Sequence, residues 1–449
     1  MVQFGQMRWC QIGRFLTKQF QKNSLKEGKM ISMIKKAVIC SLIMGVFILG
    51  ETFNGGFLAF AVDEVSVGVI LPMSGSVAPI GRTCKRGLDF AAKEFNAEGG
   101  IKSLKGAKIK LIYADSRGDP KIGMSEAERL IMQDKVSVIL GSYQSSVTLT
   151  STQVAERYKV PYLTLIAVAD PITERGFKYV FRINETTDLL SRDIIKFFSE
   201  MGKQTGKPVK TLGLLYENTD FGQNSAKQWK KYAKQYGFEI ILDEAYPHGT
   251  TDISPVILKF KNANPDAVLN VSYVSDIILI VKAIAENKWT PKVFYAAGGV
   301  ENEPEFVRSV IDLAEYHFNM IPYSPDLLLA KPWARPIAEG FEKEYGVGLS
   351  AESVFAYTNF QVLVDVLERA GSTDREKIRE ALAKTNITKG KALLLPYEKI
   401  EFGPDGQNPH VRLLVSQWQN RKLRIVYPPD VTPPGIKAVW PAIPWDQRK

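Results

Sequence analysis

The sequence has few of the residues on which catalytic and metal sites are usually built. It contains three cysteines and three histidines among 449 residues. The histidines, His248, His317 and His410, are far apart, and none has a second ligand at metal-binding spacing. It also lacks a G-x-S-x-G motif, a phosphate-binding loop, and a G-x-G-x-x-G motif after the first predicted strand. The sequence therefore predicts no catalytic residue, no metal and no cofactor, although a site assembled from distant residues would escape this search.

The first 61 residues have the features of a leader. Lys35 and Lys36 precede an apolar run over residues 37–50, and an A-x-A site follows at residues 59–61. This pattern is typical of a secretory signal peptide, so we expect cleavage after Ala61 and export of the mature chain. An uncleaved membrane anchor is the alternative, but the 14-residue run is short for a span, which needs about 20 residues.

Most of the positive charge lies in this leader. The whole chain carries a formal charge of +10, of which residues 1–61 contribute +6. The remaining 388 residues are only mildly basic, which removes the main argument for a nucleic-acid partner. They retain a single cysteine, Cys84, so an internal disulfide is excluded. Their length exceeds one comfortable core and favours two domains.

Short β-branched runs alternate with amphipathic stretches from Val65 onward. In the first half, the pattern predicts strands at 65–71, 108–115 and 136–140, with helices at 85–98 and 121–134. After Asn184 it predicts strands at 211–217, 239–246, 266–273 and 292–299, with helices at 224–237, 252–265 and 275–289. Such alternation indicates parallel sheets with helices on both faces, in two units.

The C-terminal part has a different pattern. Residues 351–384 are predicted to be mainly helical, and two or three strands follow, with a turn at residues 403–406. The last stretch holds six prolines from Tyr427 onward. Because proline fixes φ and removes donors, we expect this tail to lie extended on the surface, anchored by Trp440 and Trp445.

Hydroxyl and small residues occur at three expected strand ends of the first unit, at 72–78, 141–146 and 163–170. Open α/β sheets bind ligands at the carboxyl ends of their strands. A helix predicted to begin near Ser146 would direct free N–H groups to this edge, with the hydroxyls of Ser145 and Ser146 beside them. This combination suits a carboxylate. The alternative is that one serine only caps the helix.

Seven ordered segments resemble the leucine/isoleucine/valine-type periplasmic binding proteins of ABC importers. They include "VGVILPMSGSVAPIG", "VILGSYQSSVTLTSTQVAERYKVPYLT" and "LGLLYENTDFGQ". The resemblance implies an α/β type I periplasmic-binding-protein fold with two doubly wound parallel-sheet lobes and a three-crossover hinge. We expect lobe 1 at 62–184 plus 322–402, lobe 2 at 185–321 plus 403–427, and the proline-rich tail at 428–449. The crossovers are expected near residues 184–185, 320–323 and 402–406.

The resemblance also implies a set of ligand-binding positions. Ser145 and Ser146 match the donors for the ligand carboxylate, and Ala167 and Ala169 match the rim that receives the amine. The other matching positions are Ile80, Phe221, Tyr273 and Gly298. Either Phe355 or Tyr357 matches the residue that closes the pocket.

Two of these positions depart from the amino-acid-binding pattern. Gly298 stands where amino-acid binders place an acid for the ligand's ammonium, and Ala169 replaces a threonine. A buried ammonium without a partner is costly. Either Glu301 substitutes for the missing acid, or the ligand has no amine. The apolar character of the other positions favours an organic acid, aromatic or branched, over an α-amino acid.

The resemblance therefore predicts a monomeric periplasmic solute-binding protein that captures a small carboxylate-bearing solute by lobe closure. Its partner would be the permease and ATPase complex of an ABC importer, and neither nucleic acid nor enzymatic activity is expected. Two alternatives remain: a ligand sensor of the same fold with a separate membrane partner, and an enzyme with an unrecognised site. Turnover of the ligand would distinguish an enzyme from a binder.

Overall fold

The computed structural model describes residues 63–448, so the predicted leader lies outside the described residues. The first sheet contains five strands in the order β2-β1-β3-β4-β5, and all neighbouring pairs are parallel. These strands are β1 (Glu64–Leu71), β2 (Lys108–Asp115), β3 (Val138–Gly141), β4 (Tyr162–Thr164) and β5 (Val180–Arg182). The ends of β1, β3 and β4 bring the three predicted rim segments to one edge of the sheet.

The second sheet has seven strands in the order β14-β13-β10-β9-β8-β6-β7. Its strands are β6 (Thr211–Glu217), β7 (Glu239–Tyr246), β8 (Ala267–Val271), β9 (Val293–Ala297), β10 (Phe318–Ile321), β13 (Leu414–Gln419) and β14 (Lys422–Tyr427). Strands β6 to β10 pair in parallel, whereas β13 and β14 add an antiparallel hairpin. Asn420 and Arg421, both at positive φ, form the two-residue hairpin turn. A two-stranded sheet of β11 (Asn386–Ile387) and β12 (Ile400–Glu401) completes the strands.

Helices connect the strands. They are α1 (Ala78–Ala97), α2 (Pro120–Met132), α3 (Ser145–Arg157), α4 (Pro171–Glu174), α5 (Thr187–Thr205), α6 (Asp220–Tyr236), α7 (Ser254–Ala263), α8 (Val274–Glu286), α9 (Pro304–Val310), α10 (Leu327–Ala330), α11 (Arg335–Tyr345), α12 (Ala351–Ala370) and α13 (Arg375–Ala383). Helix α12 packs along α1 on the first-sheet side, and α5 packs along α6 on the second-sheet side. Late segments of the chain therefore return to the first half.

The chain passes between the two sheets three times. It leaves β5 for α5 at residues 183–186, leaves β10 for α10 and α11 at 322–326, and returns from β12 to β13 at 402–413. Residues 63–448 nonetheless belong to one compact unit, and side chains from both sides meet between the sheets. The expected residue boundaries of the two lobes stay a prediction.

The C-terminal tail lies against the second-sheet side. The Trp440 ring is buried beside Phe198 and Phe318, and its Nε1 donates to the Lys207 carbonyl at 2.9 Å. Trp445 Nε1 donates to the Trp289 carbonyl at 3.2 Å. Within residues 63–448, no helix combines the length and apolar character needed to cross a membrane.

Candidate functional site

A cavity lies between the two sheets and encloses about 470 Å³ of atom-free space, part of it open to solvent. Its walls come from both sides and from the crossover segments. The lining residues are Tyr143, Ser145, Ile166, Ala167, Val168, Glu185, Phe221, Tyr273, Gly298, Gly299, Pro322, Ala351, Glu352 and Phe355. The side chains with polar atoms are one serine, two tyrosines and two glutamates, and this set contains no lysine, arginine or histidine.

Ser145 stands at the first position of α3, where the strand β3 turns into the helix. Gln144 is the N-cap and supplies no side-chain cap, so the first N–H groups of α3 have no partner within the helix. Ser145 Oγ accepts a hydrogen bond from the Ala169 N–H at 3.3 Å, which leaves its own hydrogen free to donate. Donors and the positive end of the helix dipole therefore meet at this wall of the cavity.

The opposite wall is aromatic. Phe221 is the second residue of α6, Tyr273 follows β8, and their ring centroids are 6.3 Å apart. Tyr143, from the first-sheet side, lies 5.6 Å from the Tyr273 ring. Gly298 has φ +81°, and a Cβ placed there would lie 3.2 Å from the Phe221 ring. A side chain of any kind at Gly298 would thus be strained and would press on this aromatic wall.

Six of the predicted ligand-binding residues line the cavity: Ser145, Ala167, Phe221, Tyr273, Gly298 and Phe355. Five do not. Ile80 is buried in the core, Ser146 is half-buried on the next position of α3, and Ala169 turns its N–H to Ser145 and its carbonyl to Arg182. Tyr357, on α12, points toward α1, where its hydroxyl donates to Glu94 at 3.0 Å.

Glu301 is the fifth of these residues, and its carboxylate is engaged elsewhere. Oε1 lies 2.9 Å from His317 Nδ1, and Oε2 accepts from Asn319 Nδ2 at 2.7 Å. All three side chains are buried on the second-sheet side. The carboxylate of Glu301 is therefore tied into this group and not directed at the cavity.

Glu185 is a cavity residue that the sequence analysis missed. It lies in the first crossover, is 3% exposed, and its Oε2 has no hydrogen-bond partner among the described residues. Burial raises the pKa of Glu185 to about 7, with only partial relief from its own backbone N–H and from the charge of Arg182. The Arg182 guanidinium donates instead to Gln407, Thr173 and backbone carbonyls. A buried carboxyl group thus faces the cavity without a paired cation, and its position after a three-residue strand gave no sequence signal.

Glu352, at the start of α12, is the second such residue. Its carboxyl group accepts from Ser350 Oγ at 3.2 Å and lies near that of Glu303, which is also buried. Burial, with the charge of Glu303 adding to it, raises the pKa of Glu352 well above its usual range. Because Glu352 already has these partners, Glu185 is the freer of the two carboxyl groups.

Each histidine pairs with a carboxylate: His248 with Asp276, His317 with Glu301, and His410 with Glu401. Among residues 63–448, no group of three or more His, Cys, Asp or Glu could hold a metal ion.

One arrangement of side chains does resemble a catalytic one. Ser76 Oγ lies 3.4 Å from His248 Nε2, and His248 Nδ1 lies 2.9 Å from Asp276 Oδ2.

Two sheets joined by three crossovers, with a cavity between them, define a two-lobed binding fold. The family model for "Periplasmic binding protein" matches residues 64–422. The chain is 30% identical over 372 residues to Leu/Ile/Val-binding protein homolog 7 of Brucella suis biovar 1 (strain 1330), covering 81% of this chain and 92% of that one. The chain belongs to the periplasmic binding protein family, of the leucine/isoleucine/valine type predicted from its sequence.

Solved structures show the same fold. A leucine-binding protein of Thermotoga maritima MSB8 superposes with a TM-score of 0.71 at 24% identity, covering 82% of this chain and 99% of that chain. A solute-binding protein of an ABC transporter from Rhodopseudomonas palustris BisB5, in complex with 3,4-dihydroxybenzoic acid, superposes with a TM-score of 0.69 at 21% identity, covering 80% and 95%. The predicted fold class is confirmed, with an antiparallel edge added to the second sheet.

Proposed function

We propose that this protein is the periplasmic solute-binding component of an ABC importer and that it captures a small hydrophobic amino acid in the cavity between its lobes. The observation that carries this proposal is the pairing, in one apolar cavity, of a donor-rich helix start at Ser145 with the unpaired carboxyl group of Glu185. An α-amino acid offers the complementary pair of charges.

The carboxylate end is assigned to the start of α3. The Ser145 hydroxyl and the first N–H groups of the helix would donate to it, and the helix dipole adds about 0.3 to 1 kcal/mol when exposed and more when solvent is excluded. Hydrogen bonds to charged groups are each worth about 1.5 to 3 kcal/mol. Ser146 remains a predicted contributor through its backbone N–H.

The amine end is assigned to Glu185. The sequence argument for an amine-free organic acid was that Gly298 leaves no acid in the cavity, but Glu185 lines the cavity from the first crossover. A ligand ammonium would supply the missing counter-charge and favour the ionised form of Glu185. A ligand that carries a carboxylate but no amine would instead place a second negative charge near the Glu185 carboxylate and repel it. An organic acid is therefore the less favoured ligand class.

The side chain of the ligand is assigned to the wall formed by Phe221, Tyr273 and Phe355. Apolar surface buried there contributes about 25 cal/mol per Å². The relatives support this class, since one is named a Leu/Ile/Val-binding homolog and another is a leucine-binding protein. A third structure is a complex with 3,4-dihydroxybenzoic acid. Aromatic acids are therefore the ligands against which amino acids should be compared in binding experiments.

Substitution of Ser145 by alanine tests the site. For whichever of leucine, isoleucine, valine and phenylalanine binds most tightly, we expect Ser145→Ala to raise Kd about 10- to 150-fold, because a hydrogen bond to a charged group is lost. The matched control is Ser146→Ala on the same helical turn, whose side chain is outside the lining; we expect about a twofold change. Isothermal titration calorimetry measures both. Equal effects of the two substitutions would remove Ser145 from the site.

A hydrolase is the second candidate. Ser76 contacts His248, and His248 contacts Asp276, which is how a nucleophile, its base and an orienting acid are arranged. We disfavour it since Ser76 is exposed and its 3.4 Å separation from His248 exceeds the usual nucleophile-base distance. Hydrolysis of p-nitrophenyl acetate decides between them. A binding protein should show the same background rate in wild type and Ser76→Ala, whereas a rate that falls with the substitution would favour the enzyme.

A further inference from the structure

We propose that the cavity selects an amino acid whose aromatic ring carries a hydroxyl group, and that Glu352 and Tyr143 recognise this hydroxyl. This assignment rests on the proposed function and narrows its ligand class from hydrophobic amino acids in general to those with a phenol group, such as tyrosine. Ser145 and Glu185 would hold the two charged ends of the ligand. Glu352 and Tyr143 would contact the far end of its side chain.

Both residues lie at the wall assigned to the ligand side chain. Glu352 and Phe355 both line the cavity and are three residues apart on α12, so they are neighbours on one face of this helix. Tyr143 lines the cavity from the first-sheet side, and its ring centroid is 5.6 Å from that of Tyr273. Burial raises the pKa of Tyr143 well above its ordinary value, with further contributions from Tyr273 and from the charge of Glu352, which agrees with this placement.

The polar atoms of these two side chains have unused hydrogen-bonding capacity. Tyr143 is 7% exposed, and its hydroxyl makes no hydrogen bond to another described residue. Glu352 is 1% exposed; its Oε2 accepts a long hydrogen bond from Ser350 Oγ at 3.2 Å, and its Oε1 has no donor among the described N–H and O–H groups. Glu303, the buried acid near Glu352, accepts from the Thr83 hydroxyl at 3.0 Å, and its side chain has no N–H group. Buried polar groups normally have partners, so a ligand that reaches this wall should supply them.

A hydroxyl group matches this pair better than other polar groups do. It can donate its hydrogen to a Glu352 oxygen while its own oxygen accepts from the Tyr143 hydroxyl. An indole N–H or an ammonium group only donates, so it would leave the Tyr143 hydroxyl without an acceptor. An ammonium group would also lose its hydration in a cavity lined by four aromatic rings. Burial raises the pKa of Glu352 well above its usual range, which disfavours the counter-charge that such a group would need.

The rest of this wall suits an aromatic ring. Phe221 and Tyr273 have ring centroids 6.3 Å apart, within the range in which aromatic rings pack on one another. A Cβ at Gly298 would lie 3.2 Å from Phe221 Cζ, so the glycine leaves that part of the ring uncovered for a ligand. A leucine or valine side chain would fill apolar space here but would leave the polar atoms of Glu352 and Tyr143 unpaired.

Tyrosine and phenylalanine, which differ by this one hydroxyl, test the proposal in isothermal titration calorimetry. We expect the wild-type protein to bind tyrosine about tenfold or more tightly than phenylalanine, because phenylalanine leaves two buried groups unpaired. Glu352→Leu removes the acceptor and should bring the two Kd values close together, with phenylalanine binding unchanged or tighter. Tyr143→Phe removes only the donor and should lower the ratio of the two Kd values about threefold or more.

Tyr357→Phe is the matched control, because Tyr357 is also a buried tyrosine, and its hydroxyl donates to Glu94 away from the cavity. Its ratio of Kd values should equal that of wild type. The wild-type ratio requires no variant, so it decides the matter even where Glu352→Leu does not fold.

Phenylalanine binding as tightly as tyrosine, or lysine binding more tightly than tyrosine, would overturn the proposal and leave the amino-acid site in place. A wild-type preference for tyrosine that survives both Glu352→Leu and Tyr143→Phe would overturn the assignment to these two residues. If none of leucine, valine, phenylalanine and tyrosine binds, the proposed function fails as well.

Discussion

Glu185 links the stability of the protein to its function at the scale of a single residue. Its carboxyl group is buried without a paired cation, which raises its pKa to about 7. An acid whose pKa is raised on folding keeps its proton in the native state, so stability falls as pH rises from the unfolded value, about 4.5, to about 7. The ligand-free protein therefore has an uncompensated charge at pH 8, and we expect a ligand amine to relieve it.

This cost can be measured directly. Glu185→Gln removes the ionisation and should raise the free energy of unfolding of the ligand-free protein at pH 8 by about 1 to 3 kcal/mol, with a gain that shrinks toward pH 4.5. Urea denaturation at several pH values measures it. The same variant should bind amino acids at least tenfold more weakly. A variant that is no more stable at pH 8 than wild type would show that Glu185 has a partner in the ligand-free protein.

The sequence could predict some of these residues and not others. Ser145 was predictable because a hydroxyl beside a helix start at a strand end is a local pattern. Glu185 and Glu352 were not, because each is one glutamate among many and becomes special only through burial. The absence of an acid at Gly298 is visible in the sequence, whereas the two acids that line the cavity from the first crossover and from α12 become apparent only in the folded chain.

At the scale of elements, long strands and helices were well predicted. The bounds of β2, β6 and β7 match the predicted ranges, because seven or eight residues with recurring apolar side chains give a clear strand pattern. Strand β5 was missed because three residues give too little pattern, and β10 because four residues pair with β9 and β13 only in the folded chain. Helix α1 begins seven residues before the predicted start, since Pro79 favours a first turn there.

The tail is an element whose anchoring can be tested. Trp440 is 6% exposed and packs on Phe197, Phe198 and Phe318. We expect Trp440→Ala to lower the free energy of unfolding by about 3 to 5 kcal/mol, the usual range for a buried aromatic residue. Urea denaturation measures the loss. Trp333→Ala is the control, because Trp333 is 46% exposed; a loss of similar size there would mean that burial of Trp440 is not the cause.

At the scale of the whole molecule, contacts between the lobes determine whether the cavity is accessible. The Tyr143 and Tyr273 rings are 5.6 Å apart, Gln228 Nε2 donates to Asp170 at 2.8 Å, and the Thr83 hydroxyl donates to Glu303 Oε2 at 3.0 Å. Closure of this kind removes water from the cavity and strengthens its polar contacts. Closing of the hinge would then capture a solute, and opening of the same hinge would deliver it to a permease. The two-lobed organisation was predictable from the repeated strand and helix pattern, whereas these contacts depend on the tertiary structure.

The central claim is that the solute carries both a carboxylate and an amine. Calorimetric titration of residues 62–449 with leucine, valine and phenylalanine, each beside its deaminated acid, tests it most directly. At pH 6, in two buffers of different ionisation enthalpy, the account predicts that the amino acids bind at least tenfold more tightly and release a proton as Glu185 ionises. Tighter binding of the deaminated acids, with uptake of a proton, would contradict the account and favour an organic-acid carrier.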